Sequence, residues 1–580
     1  MRPLLPLAFA LTLSVALSAN AQQKPQPEQG TGRGEVNSAT GERFMIATAN
    51  PRATEAGYAV LKRGGSAMDA AVAVQMVLNL VEPQSSGIGG GAFLLHWDAK
   101  SGRLESYDGR ETAPKAAGQD YFFKADGTRK KFWQAVIGGG SVGIPGTLRV
   151  LELAHGEHGR EAFAGLLQPA IDLAESGFAI SPRMEKSVAG ALKRGLGDFA
   201  AAKDYFLDAE GVPKAAGTKL RNPAFADMLR LIARDGSKAL HEGPVAHEIV
   251  AAVQSTPGNP GLITEGDLSA YRAKKRPAVC APYRAYQVCG MGPPSSGALT
   301  VGQILMLLEH FDLRSIGPGP EAAHLIAEAS HLAYADRGRY MADSDFVSMP
   351  TEGLLNRNYV EQRARLIDPA RSMGKASAGE PPWKQGRLQA DDTSNELRGT
   401  SHFVIVDAAG NAVSMTTTIE TGFGSRLMVR GFLLNNELTD FSFRFEKDGM
   451  PIANRIEGGK RPRSSMAPTI ILKDGKPVLL IGSPGGSRII GYVAQAIVAI
   501  LDWDMDPAAA VAMGHLVNRN GKTTDLEAGT EVVAWQSALE AKGHTVKVRG
   551  MNSGLHAILI QNGTLSGAAD PRREGTVLAE

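Results

Sequence analysis

Arg398-Gly399-Thr400-Ser401-His402-Phe403-Val404-Ile405-Val406-Asp407 is the stretch on which the reading of this chain turns. A polar run, Gln389 to Leu397, ends in a small Gly-Thr junction that opens directly onto a β-branched, strand-like segment. Left inside the chain, Thr400 does no more than start a strand. Were the Gly399–Thr400 bond cut, it would carry a hydroxyl nucleophile and an α-amine base on one residue, a recognised way to activate threonine. A free α-amine has a pKa of about 7.7–8.0, so part of it is neutral near pH 7 and can accept the hydroxyl proton. Gly399 suits self-cleavage, because a residue without Cβ lets the backbone approach closely. A Gly-Thr pair is common, however, and its surroundings must decide.

Downstream of the junction the texture is that of strands. His402 to Asp407 and Asn411 to Thr418 are joined by an Ala408-Ala409-Gly410 turn, and Thr469 to Leu472 and Pro477 to Ile481 form a hairpin around Asp474-Gly475. Thr545 to Arg549 and His556 to Gln561 read as late strands, with a helix at Ile489 to Leu501. Upstream, the chain reads mostly helical: Thr54 to Arg63, Ala67 to Leu80, Arg160 to Ser176, Asn222 to Asp235 and Ala322 to Ala335 carry helical apolar spacing. Such blocks predict an α/β fold with sheets covered by helices. Ser372 to Asn395 is polar, without periodicity, and reads as a mobile linker into the junction.

At the N-terminus, Met1-Arg2-Pro3, the apolar run Leu4 to Leu17 and Ala19-Asn20-Ala21 have the form of a signal peptide cut after Ala21. Export to the periplasm or the medium is expected, with Gln22 to Glu35 as a disordered leader. A membrane span needs about 20 apolar residues, and no later segment supplies them. With 580 residues, 43% of them hydrophobic, the chain can bury a large core; its net charge of +2 carries no nucleic-acid footprint. Cys280 and Cys289, at hairpin spacing, either pair in an oxidising compartment or stay as two buried thiols. Two cysteines alone make no zinc site.

A rival nucleophile lies in Gly139-Gly140-Ser141-Val142-Gly143, which fits the G-x-S-x-G elbow. That motif needs a strand before it and a helix directly after. Here Ile144-Pro145-Gly146 interposes a turn, and the first half offers no β-rich sheet to carry an elbow.

Taken together, the following motifs resemble the γ-glutamyltranspeptidase family of N-terminal-nucleophile hydrolases. Pro83 to Gly91 (PQSSGIGGG), Asp108 to Pro114 (DGRETAP) and Gly143-Ile144-Pro145-Gly146 precede the Thr400 segment. Leu434-Asn435-Asn436-Glu437, Arg463-Ser464-Ser465-Met466, Gly482 to Arg488 (GSPGGSR) and Ala568 to Gly575 (AADPRREG) follow it in family order. The resemblance covers nearly the whole chain after residue 21.

What it implies is specific. The fold would be a four-layer αββα sandwich, two antiparallel-rich sheets flanked by helices. The precursor would cut itself at Gly399–Thr400 into pieces 22–399 and 400–580 that stay intertwined. Thr400 would be the nucleophile, Thr418 would hydrogen-bond and orient it, and Gly485 and Gly486 would offer N–H groups to the oxyanion. Arg110, with Ser464 and Ser465, would bind the substrate α-carboxylate. Glu420, Glu437 and Asp440 would accept from its ammonium. Family members often have Asn and Gln where Glu420 and Glu437 stand here, so three carboxylates should repel one another and raise a pKa. The loop Phe441 to Arg461 matches a family lid but lacks the tyrosine some lids place over the substrate.

Expected substrates are glutathione and other γ-glutamyl compounds, with water, amino acids or peptides as acceptors; no metal or organic cofactor is implied. Two alternatives share the fold. A cephalosporin (glutaryl) acylase-like amidase would take a side chain without an ammonium, against which the three acids argue. An inactive exported binding protein would have no use for Thr400, Thr418 and Arg110.

Overall fold

A computed structural model describes residues 30–384, 389–392 and 399–580. In the two large sheets, the strands upstream of the junction are β1 (Asn37–Gly41), β2 (Met45–Thr48), β3 (Gly91–Asp98), β4 (Arg103–Gly109), β5 (Lys274–Arg276), β6 (Ala278–Tyr283) and β7 (Tyr286–Met291). Downstream come β8 (Thr400–Val406), β9 (Ala412–Thr418), β10 (Thr469–Lys473), β11 (Lys476–Gly482), β12 (His556–Gln561), β13 (Thr564–Ala569) and β14 (Thr576–Ala579). They build two seven-stranded sheets, ordered β14-β2-β8-β9-β3-β4-β5 and β1-β13-β12-β11-β10-β7-β6. Every neighbouring pair in both is antiparallel.

Strand periodicity explains the layering. Along β8, Phe403 and Ile405 point one way, into a core shared with α1 (Pro51–Lys62) and α2 (Ala67–Val81). Val404 and Val406 point the other way and meet Ile470, Leu480 and Ile558 of the second sheet. That sheet's outer face, with Ile471, Leu479 and Ile481, packs on α3 (Gly297–Leu308), α4 (Pro320–Tyr340) and α5 (Ile489–Leu501). The result is the αββα sandwich expected. α2 is buried at every residue, so a terminus with open N–H groups would be costly; Ser66 and Asp69 close it with a reciprocal capping box.

The early strands correct the reading of a mostly helical first half. β2, β3 and β4 come from that half and flank the Thr400 hairpin on both sides. They escape notice because, buried on both faces, they lack clean alternation. Ser141 nonetheless makes no elbow. It lies in the short turn Gly139–Ser141, and its hydroxyl donates to the Val136 and Gly138 carbonyls at 2.6 and 2.9 Å. The predicted helix Arg160 to Ser176 is two, Phe163–Leu166 and Gln168–Ser176, broken where Pro169 withholds its N–H.

The linker also needs correction over residues 372–384. Glu328 takes the Ser372 hydroxyl and the Met373 N–H at 2.7 Å each, Asn520 brackets Ala376, and Asp336 accepts from the Gly379 N–H. This is a fastened strap, irregular because its hydrogen bonds go to side chains. Residues 385–388 and 393–398 lie outside the described residues, as do the signal-peptide expectation and the leader up to residue 29. No helix among the described residues is long and apolar enough to cross a membrane.

Register places the decisive residues together. Thr400 pairs with Thr418, Thr418 with Gly91, and Ala92 with Gly109, so the head of β8 shares one sheet end with the start of the Arg110 segment. Cys280 and Cys289 face each other on β6 and β7 and are disulfide-bonded. Protein denatured without reductant is therefore expected to show no thiol, and two after reduction. Cys280→Ser should lower stability by about 2 kcal/mol, since a short loop is released; an unchanged denaturation midpoint would contradict the bond.

Candidate active site

Thr400, the first residue of β8, is buried. Across the hairpin, the Thr418 hydroxyl donates to the Gly399 carbonyl at 2.6 Å and accepts from the Glu420 N–H at 2.8 Å. The carbonyl of the junction is thus polarised by a placed O–H. Gly399 has to be glycine on steric grounds. A Cβ there would lie 2.5 Å from the Glu420 carbonyl oxygen and 2.7 Å from the Thr421 carbonyl carbon. Glu420 itself has φ of +74°, a left-handed backbone that side chains rarely adopt. That turn brings its N–H back onto Thr418. It is a strained conformation at the centre of the site.

Arg110, Thr400, Thr418, Glu420, Glu437 and Asp440 line one pocket. Ser464, Ser465 and Gly486 complete it with Met466 and Ile489. Of the residues named from the sequence, Gly485 and Gly399 stand behind this lining. Gly485 has φ of +137° and Gly486 φ of +56°, and a Cβ on Gly485 would come within 2.9 Å of the Tyr492 ring. The pair therefore bends the chain tightly after β11, and Gly486 begins the turn that leads into α5.

Buried charge dominates the pocket. Arg110 is inaccessible, its guanidinium paired with Glu437 and, at 2.6 Å, with Asp440, and it also donates to the Pro462 and Arg463 carbonyls. Burial disfavours its charge, but Glu437 and Asp440 outweigh that and hold it protonated. The repulsion expected among the acids is present. Burial, then Asp440, raises the Glu420 carboxyl well above the usual range, and burial raises Glu437 against the pull of Arg110. Glu111, also fully buried, is pushed up to about 7 by burial.

Four carboxyl groups thus gather about the Arg110 guanidinium. The pocket encloses only about 20 Å³ of free space, little more than one water. In this state Arg110 pairs with Glu437 and Asp440 across that small space.

Glu111, Asn435, Asn436 and Arg337 were missed as site residues. Asn435 holds Gly89, Gly143 and the Glu437 N–H together, and Asn436 reaches Glu420 at 3.2 Å. Both stood in the quoted Leu434 to Glu437 motif, where paired amides before an acid were the available signal. Arg337, from the last turn of α4, donates to the Ser465 hydroxyl at 2.6 Å and to Ser296. Nothing local in the sequence marks it. The 441–461 loop is pinned by Asn454, which donates to the Asp440 carbonyl, while Phe443 stacks on Phe122 with centroids 4.2 Å apart.

A two-sheet αββα core with a threonine at the head of a central strand defines the class of N-terminal-nucleophile hydrolases. Residues 53–580 match the profile of the gamma-glutamyltranspeptidase family, and the chain belongs to that family. It is 37% identical to a glutathione hydrolase proenzyme of Bacillus subtilis strain 168 over 585 aligned positions, covering 99% of this chain and 97% of the relative. Identity to a glutathione hydrolase proenzyme of Escherichia coli K12 is 35% over 583, with 98% and 97% covered. In structure it is similar to a cephalosporin acylase of Bacillus halodurans, with a TM-score of 0.83, 26% identity, and 97% and 99% of the two chains covered.

Two outcomes follow from the charges. Arg110→Met strands Glu437 and Asp440 and should cost about 3–5 kcal/mol, more at pH 8 than at pH 5, where the carboxyls can take up protons. The Glu111 carboxyl titrates higher folded (about 7) than unfolded (about 4.3), so its contribution is full at low pH and lost as pH rises through about 7. Melting temperatures should therefore fall between pH 5 and 8, and Glu111→Gln should flatten that decline; parallel curves would refute it.

Proposed function

We propose that this chain is a self-processing γ-glutamyl hydrolase and transferase. The observation that carries the reading is the Thr418 hydroxyl on the Gly399 carbonyl, with Thr400 next in the chain and a buried acid-and-arginine pocket beside it.

Processing would begin with attack of Thr400 Oγ on the Gly399 carbonyl carbon. The C–N bond breaks as the ester forms, and the amide nitrogen becomes the α-amine of Thr400. Water then hydrolyses the ester, leaving a Gly399 carboxylate and a free Thr400 hydroxyl, and pieces 22–399 and 400–580. In the mature enzyme the Thr400 α-amine accepts the proton from Oγ as Oγ attacks the γ-amide carbonyl of glutathione or a related compound. The departing amine takes a proton, and the γ-glutamyl ester passes to water or to an acceptor amino acid or peptide. N–H groups at Gly485 and Gly486 would steady the oxyanion.

Arg110 with Ser464 and Ser465 would hold the α-carboxylate. Glu420, Glu437 and Asp440 would hold the ammonium, each exchanging its present partner for the substrate's. The signal-peptide form of residues 1–21 supports export to the periplasm or the medium.

An acylase reading is favoured by the similarity to the Bacillus halodurans structure. Against it stands the surplus of buried acid, which a glutaryl group would leave without a cation. Intact mass of purified protein distinguishes the possibilities. Wild type is expected as two pieces, Thr400→Ala as one, and Thr418→Val as a precursor that matures roughly 100-fold more slowly. A γ-glutamyl anilide should be turned over far faster than its glutaryl counterpart. Wild type that stays whole, or activity that survives Thr400→Ala, sinks the mechanism; a preference for glutaryl compounds sinks the substrate.

A further inference from the structure

On the outer helical layer, α4 presents His324, Glu328 and His331 at helical spacing on its buried side. His544, from the other side of the Thr400 junction, meets them. One donor atom each of His324, Glu328 and His544 falls within 4.8 Å of the others, and all three residues are buried.

The outer partners fix which atoms converge. His324 Nε2 lies 2.8 Å from the Asp368 carbonyl, which can only accept, so Nε2 carries the proton and Nδ1 points inward as a lone pair. His324 Nδ1 is 2.8 Å from His544 Nε2, and the second nitrogen of His544 is held by Thr524 Oγ1 at 3.1 Å. Glu328 is held by the Ser372 hydroxyl on one oxygen and the Met373 N–H on the other. Ligands oriented by hydrogen bonds to carbonyl, hydroxyl and amide partners are the arrangement a metal site requires.

Charge points the same way. Among the described residues no lysine or arginine pairs with Glu328; its nearest ionisable partners are His544 Nε2 at 3.8 Å and His331 Nε2 at 4.0 Å, beyond hydrogen-bond reach. A buried carboxylate that no lysine or arginine pairs with wants a cation.

We propose that His324 Nδ1, Glu328 Oε1 and His544 Nε2 bind a divalent transition-metal ion, zinc by donor chemistry, which ties α4 and the 368–373 segment to the chain beyond Thr400. Two imidazoles and a carboxylate are a known zinc donor set, with a fourth position for water. Ligand bonds of about 2.0–2.1 Å place neighbouring donors roughly 3.3 Å apart, so the 2.8 and 3.8 Å contacts need to shift by about half an ångström. The competing arrangement, a neutral His544 Nε2–H donating to His324 Nδ1, explains that contact and leaves Glu328 without a cation.

Full-length protein, stripped with a chelator and then given zinc alone, tests the proposal. One zinc per chain should survive gel filtration, and the melting temperature should rise by at least 5 °C. Cobalt in its place should show the visible absorption of a four-coordinate ion. His324→Ala and His544→Gln should lose the retained zinc and the thermal gain, and Thr400→Ala should keep both. If the histidine variants fail to fold, the zinc stoichiometry and cobalt spectrum of wild type decide alone. Wild type that retains no zinc and melts unchanged overturns the site, as does zinc retained by a folded His544→Gln.

Discussion

The constraint on which the site depends is the pairing of Thr400 with Thr418 while Gly399 lies flat against the backbone of Glu420 and Thr421. Antiparallel register brings the two threonines level. The left-handed turn at Glu420 then folds the chain over them, so one hydroxyl can serve a carbonyl and a backbone N–H together. A slip of one residue would turn Thr400 to the opposite face of the sheet and end this arrangement. Two well-packed faces of β8 forbid that slip, because Phe403 and Ile405 fill one core and Val404 and Val406 the other.

Electrostatics builds on that frame. The buried Arg110 guanidinium is matched to several carboxyl groups; Asn436 donates to the Glu420 carboxylate, while Asn435 and Asn454 hold the backbones of Glu437 and Asp440. Buried carboxylates in excess of cations are unstable on their own terms, and the raised values of Glu420, Glu437 and Glu111 express that. The same imbalance makes a cationic group welcome. Under the proposed function, stability given up here would be restored by the substrate's ammonium.

Much of this was legible in the sequence, for identifiable reasons. The β8–β9 hairpin could be read because β-branched runs flank an Ala-Ala-Gly turn, and the long helices because their apolar spacing is regular. The pocket residues came from resemblance, since no local pattern shows that Arg110 and Asp440, 330 positions apart, will touch. The early strands stayed hidden because burial on both faces erases alternation. Glu111 was quoted only as part of a motif, Arg337 drew no reading at all, and the strap at 372–384 read as a linker. In each case the decisive partner lies far away in the chain, where periodicity carries no information.

The interleaving of the first sheet has a further consequence. Its order places β8 and β9 between β2 on one side and β3 on the other, and closes an edge with β14. Neither piece of a chain cut before Thr400 would own a complete sheet. Assembly of the cut form would then be a meeting of two molecules, each with raw hydrogen-bonding edges, whereas the uncut form folds as one. Under the proposed processing, the order of events becomes one-way: the chain folds, then cuts, and its persistence afterwards rests on how slowly it opens, because what opens has no efficient route back.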